Sequence, residues 1–173
     1  NMVGWVRMNV RGELGDSIKL RFAELLQPDG ELYVKNLRVA KVTDTYICNA
    51  RENNATWAPR FVYHGFRYVE VSGFPTATIN DFVGEVVSDE MEELGTFTTS
   101  NETLNRIHQN AWWGILGNYK GMPVDCPQRN ERQPWLGDRT MGTWGESYLF
   151  GNGPLYSKWI RDICEAQRED GCI

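Results

Sequence analysis

Apolar and polar residues alternate from the start of the chain. Val6, Met8 and Val10 fall on one face and Arg7 and Asn9 on the other. After Gly12 and Gly15-Asp16, Ile18, Leu20 and Phe22 alternate with Lys19 and Arg21. A period of two predicts half-buried strands. Pro28-Asp29-Gly30 predicts a turn, since proline fixes φ and glycine accepts open backbone conformations. Short strands are expected over Glu31 to Asn36, Asp44 to Asn49 and Asp81 to Asp89, and the densest β signal runs from Arg60 to Ser72. Gly65, in the middle of that run, predicts a bulge or a close backbone approach. Short strands separated by turn residues predict an antiparallel β-sandwich.

The period changes near Gly95. Ser100 or Asn101 can cap a helix whose apolar stripe is Leu104, Ile107, Ala111, Ile115 and Tyr119. Thr140 to Phe150 has helical character, weakened by Gly142 and Gly145. Gly153-Pro154 opens a stronger helix with Tyr156, Trp159, Ile160 and Ile163 on one face, and Gly171 is a natural stop. The expected class is therefore α+β multidomain, with a β unit over 1–95 and a helical unit over 96–173. Three helices this rich in Trp and Ile leave apolar faces to be covered by further helices or by a partner. The chain enters strand pattern directly at Asn1-Met2-Val3-Gly4 and stops at Asp170-Gly171-Cys172-Ile173, as expected of a piece of a longer protein.

Composition narrows the function classes. With 173 residues, 41% apolar and 24% charged, the chain is globular. A net charge of −5 and no basic run argue against a nucleic-acid partner, which needs a basic footprint. No apolar run is long enough to cross a membrane. The compartment (cytoplasmic, periplasmic or secreted) stays open. Cys48, Cys126, Cys164 and Cys172 lack CxxC spacing and there are only two histidines, so neither a metal nor a cofactor is expected. The cysteines read as buried thiols, with a Cys164–Cys172 disulfide also open. His64 and His108 read as structural side chains.

The richest chemistry lies in Asp125-Cys126-Pro127-Gln128-Arg129-Asn130-Glu131-Arg132-Gln133-Pro134-Trp135-Leu136-Gly137-Asp138. Two prolines and a glycine exclude a plain helix. Carboxylates, guanidinium groups and an aromatic plate are what a sugar site requires: partners for hydroxyls, a proton donor and a stacking face. Mutual crowding of Asp125, Glu131 and Asp138 can keep one carboxyl protonated, while Arg129 and Arg132 favour ionised forms. The same residues could instead be structural ion pairs that pin a turn, with Trp135 in the core.

This segment resembles the signature of α-L-rhamnosidases of glycoside hydrolase family 78, which runs Asp-Cys-Pro-Gln-Arg-Asp-Glu-Arg-x-Gly-Trp-x-Gly-Asp. Tyr63-His64-Gly65-Phe66-Arg67-Tyr68, Phe22-Ala23-Glu24, Asp29-Gly30-Glu31-Leu32-Tyr33 and Asn36-Leu37-Arg38 also resemble the family, in its order. The resemblance implies an antiparallel β-sandwich followed by the first helices of an (α/α)6 barrel, with the remainder of the catalytic barrel as the covering partner. It implies an inverting glycosidase acting on a rhamnose-containing glycan or glycoside. Glu131 would be the general acid. Asp125, Arg129 and Asp138 would hold sugar hydroxyls, Trp135 would be a wall of the pocket, and the general base would lie beyond this chain. Two positions depart from the family: Asn130 stands where Asp is usual, and Pro134 where Gly is usual. An alternative is a non-catalytic module with a structural or carbohydrate-binding role.

Overall fold

The computed structural model describes residues 1–173, with the side chains of Glu52 and Asn53 outside the described residues. The chain divides into two compact units: 1–87 with 127–130, and 88–126 with 131–173.

The first unit is antiparallel throughout. Its central strand is β1 (Met2–Gly12). One edge of β1 pairs with β9 (Phe82–Val86), and the other is shared by β6 (Glu52–Trp57) and β7 (His64–Phe66). A second sheet has the order β5 (Thr43–Ile47), β2 (Ser17–Ala23), β8 (Tyr68–Ser72). β3 (Leu25–Leu26) and β4 (Leu32–Tyr33) form a small hairpin. Its turn is the Pro28-Asp29-Gly30 segment, where Gly30 has φ +91° and the Asp29 carboxylate accepts the Glu31 N–H. The two faces predicted apolar close on each other: Val6, Met8 and Val10 from β1 with Ile18, Leu20 and Phe22 from β2, joined by Phe66, Phe74 and Cys48. This is the expected β-sandwich.

Several strands differ from the sequence expectation. Glu31 to Asn36 yields only the two residues of β4 before a 3₁₀ turn over Lys35–Leu37 that buries Leu37. The Arg60 to Ser72 run is two strands in two different sheets, because the chain crosses between layers at Arg67, whose N–H bonds the Ala23 carbonyl. β6 was not anticipated. Its pairing with β1 skips Asn54, which sits at φ +70° as the extra residue of a bulge. Arg11 reaches across this unit to Asp81 at 2.7–2.8 Å through both terminal nitrogens. That bidentate pair, with the Thr78 N–H, holds the Asp81 carboxyl well below the usual carboxylate range.

The second unit carries α1 (Glu102–Gly117), α2 (Leu136–Glu146) and α3 (Gly153–Ala166). Asn101 caps α1, accepting N–H groups from Thr103 and Leu104. Pro154 opens α3 as expected. Gly171 does not end α3, which stops at Ala166; it lies in a later turn at φ +83°. The small core is Tyr119, Phe150 and Leu155, packed with Trp112, Ile115, Leu116 and Tyr156. Only the last part of the predicted α1 stripe is covered. Leu104 and Ile107 are exposed, as are Trp113, Met141, Trp144 and Ile160.

The four cysteines are thiols, not disulfides; Cys48 and Cys126 are buried as expected, but Cys164 and Cys172 are exposed. His64 stacks on Phe22 and bonds Asp44 at 2.9 Å, and His108 stacks on Phe97. Among the described residues, no helix is long and apolar enough to cross a membrane.

Burial pushes the Lys120 amine down to about 8, with Asp89 opposing. The unfolded chain, with an ordinary lysine value of 10.5, then holds more protons than the folded one. Stability from this group therefore rises with pH across that window. The stability difference between Lys120→Met and the parent should shift in the parent's favour from pH 7 to pH 10, read by urea unfolding. A pH-independent difference would show that the amine is not perturbed.

Candidate functional site

The Asp125–Asp138 segment leaves α1 through a tight turn. Val124 N–H bonds the Asn118 carbonyl, and Gly121 at φ +73° donates to the Asp89 carboxylate. A clamp then closes the loop. Asp125 N–H donates to the Gln133 carbonyl at 2.9 Å, and Gln133 N–H donates back to Asp125 Oδ1 at 2.8 Å. Burial would raise the Asp125 carboxyl, but hydrogen bonds from Gln133 and Cys126 outweigh it and hold it below the ordinary value.

Within this clamp the backbone is strained. Arg132 has φ +49°, a region that residues with a side chain seldom occupy. Such strain persists only where surrounding contacts over-determine it. It sits directly after Glu131. The Trp135 indole N–H donates to Glu131 Oε1 at 3.1 Å. The tryptophan predicted as a wall therefore also orients the carboxyl predicted as the acid. Asp125, Cys126 and Glu131 each bring one ligand atom within 4.8 Å of the others. Two carboxylates and a thiol could touch a cation, but three ligands fall short of a closed tetrahedral set. Clusters of acidic groups are common without a metal ion.

Trp135 is half exposed and immediately precedes α2; Asp138 lies in the first turn of that helix. Both line a cavity of about 800 Å³ with Met122, Leu136, Trp159 and Ile163. It is mainly apolar, with Gln133, Asp138 and Asp162 as polar members. Asp125, Glu131, Trp135 and Asp138 thus belong to the helical unit. Arg129 groups instead with the sandwich, where its charge acts on Glu24. Asn130 is exposed and Pro134 half-buried.

Sequence reasoning missed a buried carboxylate. Glu146, at the end of α2, accepts from Tyr119 and Tyr156 hydroxyls and pairs with Arg139 at 3.0 Å. Burial, then the Glu146 carboxylate, pushes the Tyr119 hydroxyl far above its ordinary value. The available signal was a lone glutamate in Trp144-Gly145-Glu146-Ser147-Tyr148-Leu149-Phe150, a setting too apolar for a solvated acid.

A sandwich followed by helices is the order of a concanavalin-like domain and a six-hairpin glycosidase domain. Residues 1–88 match the bacterial alpha-L-rhamnosidase concanavalin-like domain. Residues 92–173 match the bacterial alpha-L-rhamnosidase 6 hairpin glycosidase domain. An alpha-L-rhamnosidase of Formosa agariphila is 42% identical over all of this chain and 19% of its own length. One of Streptomyces avermitilis is 41% identical over all of this chain and 17% of its own. The solved structure of Streptomyces avermitilis alpha-L-rhamnosidase complexed with L-rhamnose superposes with a TM-score of 0.91 at 40% identity, covering 98% of this chain and 16% of that one. The Dictyoglumus thermophilum alpha-L-rhamnosidase gives 0.90 at 42% identity, covering 98% and 19%. The chain belongs to the bacterial alpha-L-rhamnosidase family. It spans less than a fifth of the length of these curated relatives.

Proposed function

We propose that these residues are the sandwich and first barrel helices of an inverting α-L-rhamnosidase, with the unit boundary near residue 95. Glu131 protonates the glycosidic oxygen. Asp125, Arg129 and Asp138 hold rhamnose hydroxyls, and Trp135 forms the wall. The observation that carries the reading is the oriented Glu131 carboxyl, bonded by Trp135 and grouped with Asp125 inside a clamped, strained loop. Membership of a family whose relatives are named α-L-rhamnosidases supports the substrate class.

Asp125 is a poor candidate for the base. Inverting carboxyl pairs stand roughly 6.5–9.5 Å apart to admit a water, whereas Asp125 and Glu131 approach within 4.8 Å. One Asp125 oxygen is also engaged by Gln133. In this reading the base comes from outside residues 1–173, as does the cover for Leu104, Ile107 and Trp113.

The test is to follow hydrolysis of an aryl α-L-rhamnoside by the full-length protein with proton NMR. β-L-Rhamnose is expected first. An α anomer formed first would overturn inversion, and absence of rhamnose release would overturn the substrate class.

A further inference from the structure

The sandwich strands carry a feature that no strand requires. Gly65 is buried in the middle of β7, paired with Val3 of β1. Its φ is not in the left-handed region, so the backbone does not call for glycine. The reason is steric. A Cβ at Gly65 would stand 2.8 Å from Gln128 Cβ and 3.3 Å from Gln128 Cα and N. Strand backbone and loop backbone meet directly, and any side chain at 65 must push the loop away.

Gln128 is held at its other end too. Its side chain hydrogen-bonds Glu24, the residue after β2. Glu24 also accepts the Asn1 side-chain amide at 3.1 Å. The next loop residue, Arg129, faces the Glu24 carboxylate closely enough for its charge to lower that carboxyl, against a larger upward push from burial. Residues 127–130, the middle of the signature segment, therefore cluster with the sandwich strands and not with the helices on either side of them in sequence.

We propose that Gly65 and Glu24 are positioning residues for the sugar-binding Arg129, with Gly65 seating the Gln128 backbone and Glu24 holding the Gln128 side chain. This inference rests on the rhamnosidase reading above. A guanidinium offers five donors in a fixed fork, so Arg129 can answer Glu24 and still serve a hydroxyl. A displacement of about 1 Å at such a group is enough to cost on the order of a hundred-fold.

The experiment uses the full-length protein with Gly65→Ala, Gln128→Ala and Glu24→Gln. Hydrolysis of an aryl α-L-rhamnoside and inhibition by L-rhamnose are measured beside the melting midpoint. Gly65→Ala should raise KM and the L-rhamnose inhibition constant by on the order of ten- to a hundred-fold, with a smaller fall in kcat and an unchanged midpoint. The other two variants should move KM in the same direction by less. If Gly65→Ala does not fold, Gln128→Ala carries the test, because it removes atoms and adds none. Parent-like L-rhamnose binding by the variants, or losses that only track falling midpoints, would overturn the inference while an active parent leaves the rhamnosidase reading intact. A parent that neither binds L-rhamnose nor hydrolyses rhamnosides overturns both.

Discussion

Glu131→Gln in the full-length protein should lower kcat on a rhamnoside with a poor leaving group by roughly 10²–10⁴-fold. The loss on an activated aryl rhamnoside should be far smaller, and KM should stay near the parent value on both. Cleaving an acetal requires a proton on the departing oxygen unless that oxygen already leaves easily. Glutamine cannot supply the proton, yet it keeps an oxygen where the Trp135 indole N–H now bonds Glu131 Oε1 at 3.1 Å. The Asp125–Gln133 clamp does not involve the Glu131 side chain, so the loop should keep its shape. The leaving-group dependence is the decisive reading. Equal losses on both substrates would mean that the substitution damaged the loop and not the proton transfer. Near-parent rates on both would remove Glu131 from the acid role.

What the sequence exposes is what depends on near neighbours. The alternation that places Val6, Met8 and Val10 opposite Ile18, Leu20 and Phe22 is a property of consecutive residues, and so is the Pro28-Asp29-Gly30 turn. The Asn101 cap and the Pro154 start are equally local. β6 escapes because its bulge puts two asparagines where a strand should read apolar and polar in turn, and Asn54 takes up a conformation no propensity anticipates. The layer change at Arg67 escapes because it depends on a bond to Ala23, forty-odd residues away. In the Asp125–Asp138 loop, residue types suggested the chemistry, but their arrangement did not follow from them. Spacing gave no sign that Asp125 would clamp the loop through Gln133, or that Trp135 would hold Glu131 by its indole N–H. Gly65 carried a partial signal: close backbone approach was expected there, but its partner, Gln128, lies more than sixty positions on. The exposed first half of the α1 stripe has the opposite cause. Its pattern is apolar, and Leu104 and Ile107 are left exposed among the described residues.

Glu146→Leu should destabilise the helical unit by about 3–5 kcal/mol, the usual cost of breaking one side of a buried charged pair. Glu146 and Arg139 side chains are only 10% and 15% exposed, so neither can turn to water when its partner is lost. The carboxylate gathers three elements: Tyr119 just past α1, Arg139 within α2 and Tyr156 on α3. Asn152 adds a bond to the Tyr119 hydroxyl. Removal leaves a guanidinium and two hydroxyls short of an acceptor. Replacing both members of the pair, Glu146→Leu with Arg139→Met, should recover much of the loss, because an apolar pair of similar volume leaves no charge stranded. Tyr119→Phe, which removes a single donor and keeps the ring packed against Phe150 and Leu155, should cost only about 1 kcal/mol. Urea unfolding of the parent, Glu146→Leu, Arg139→Met, the double variant and Tyr119→Phe orders the five directly. If the double variant is as unstable as the sum of its singles, the pair is not coupled and the network is only packing. If it is more stable than Glu146→Leu alone, the two charges are coupled across the buried pair.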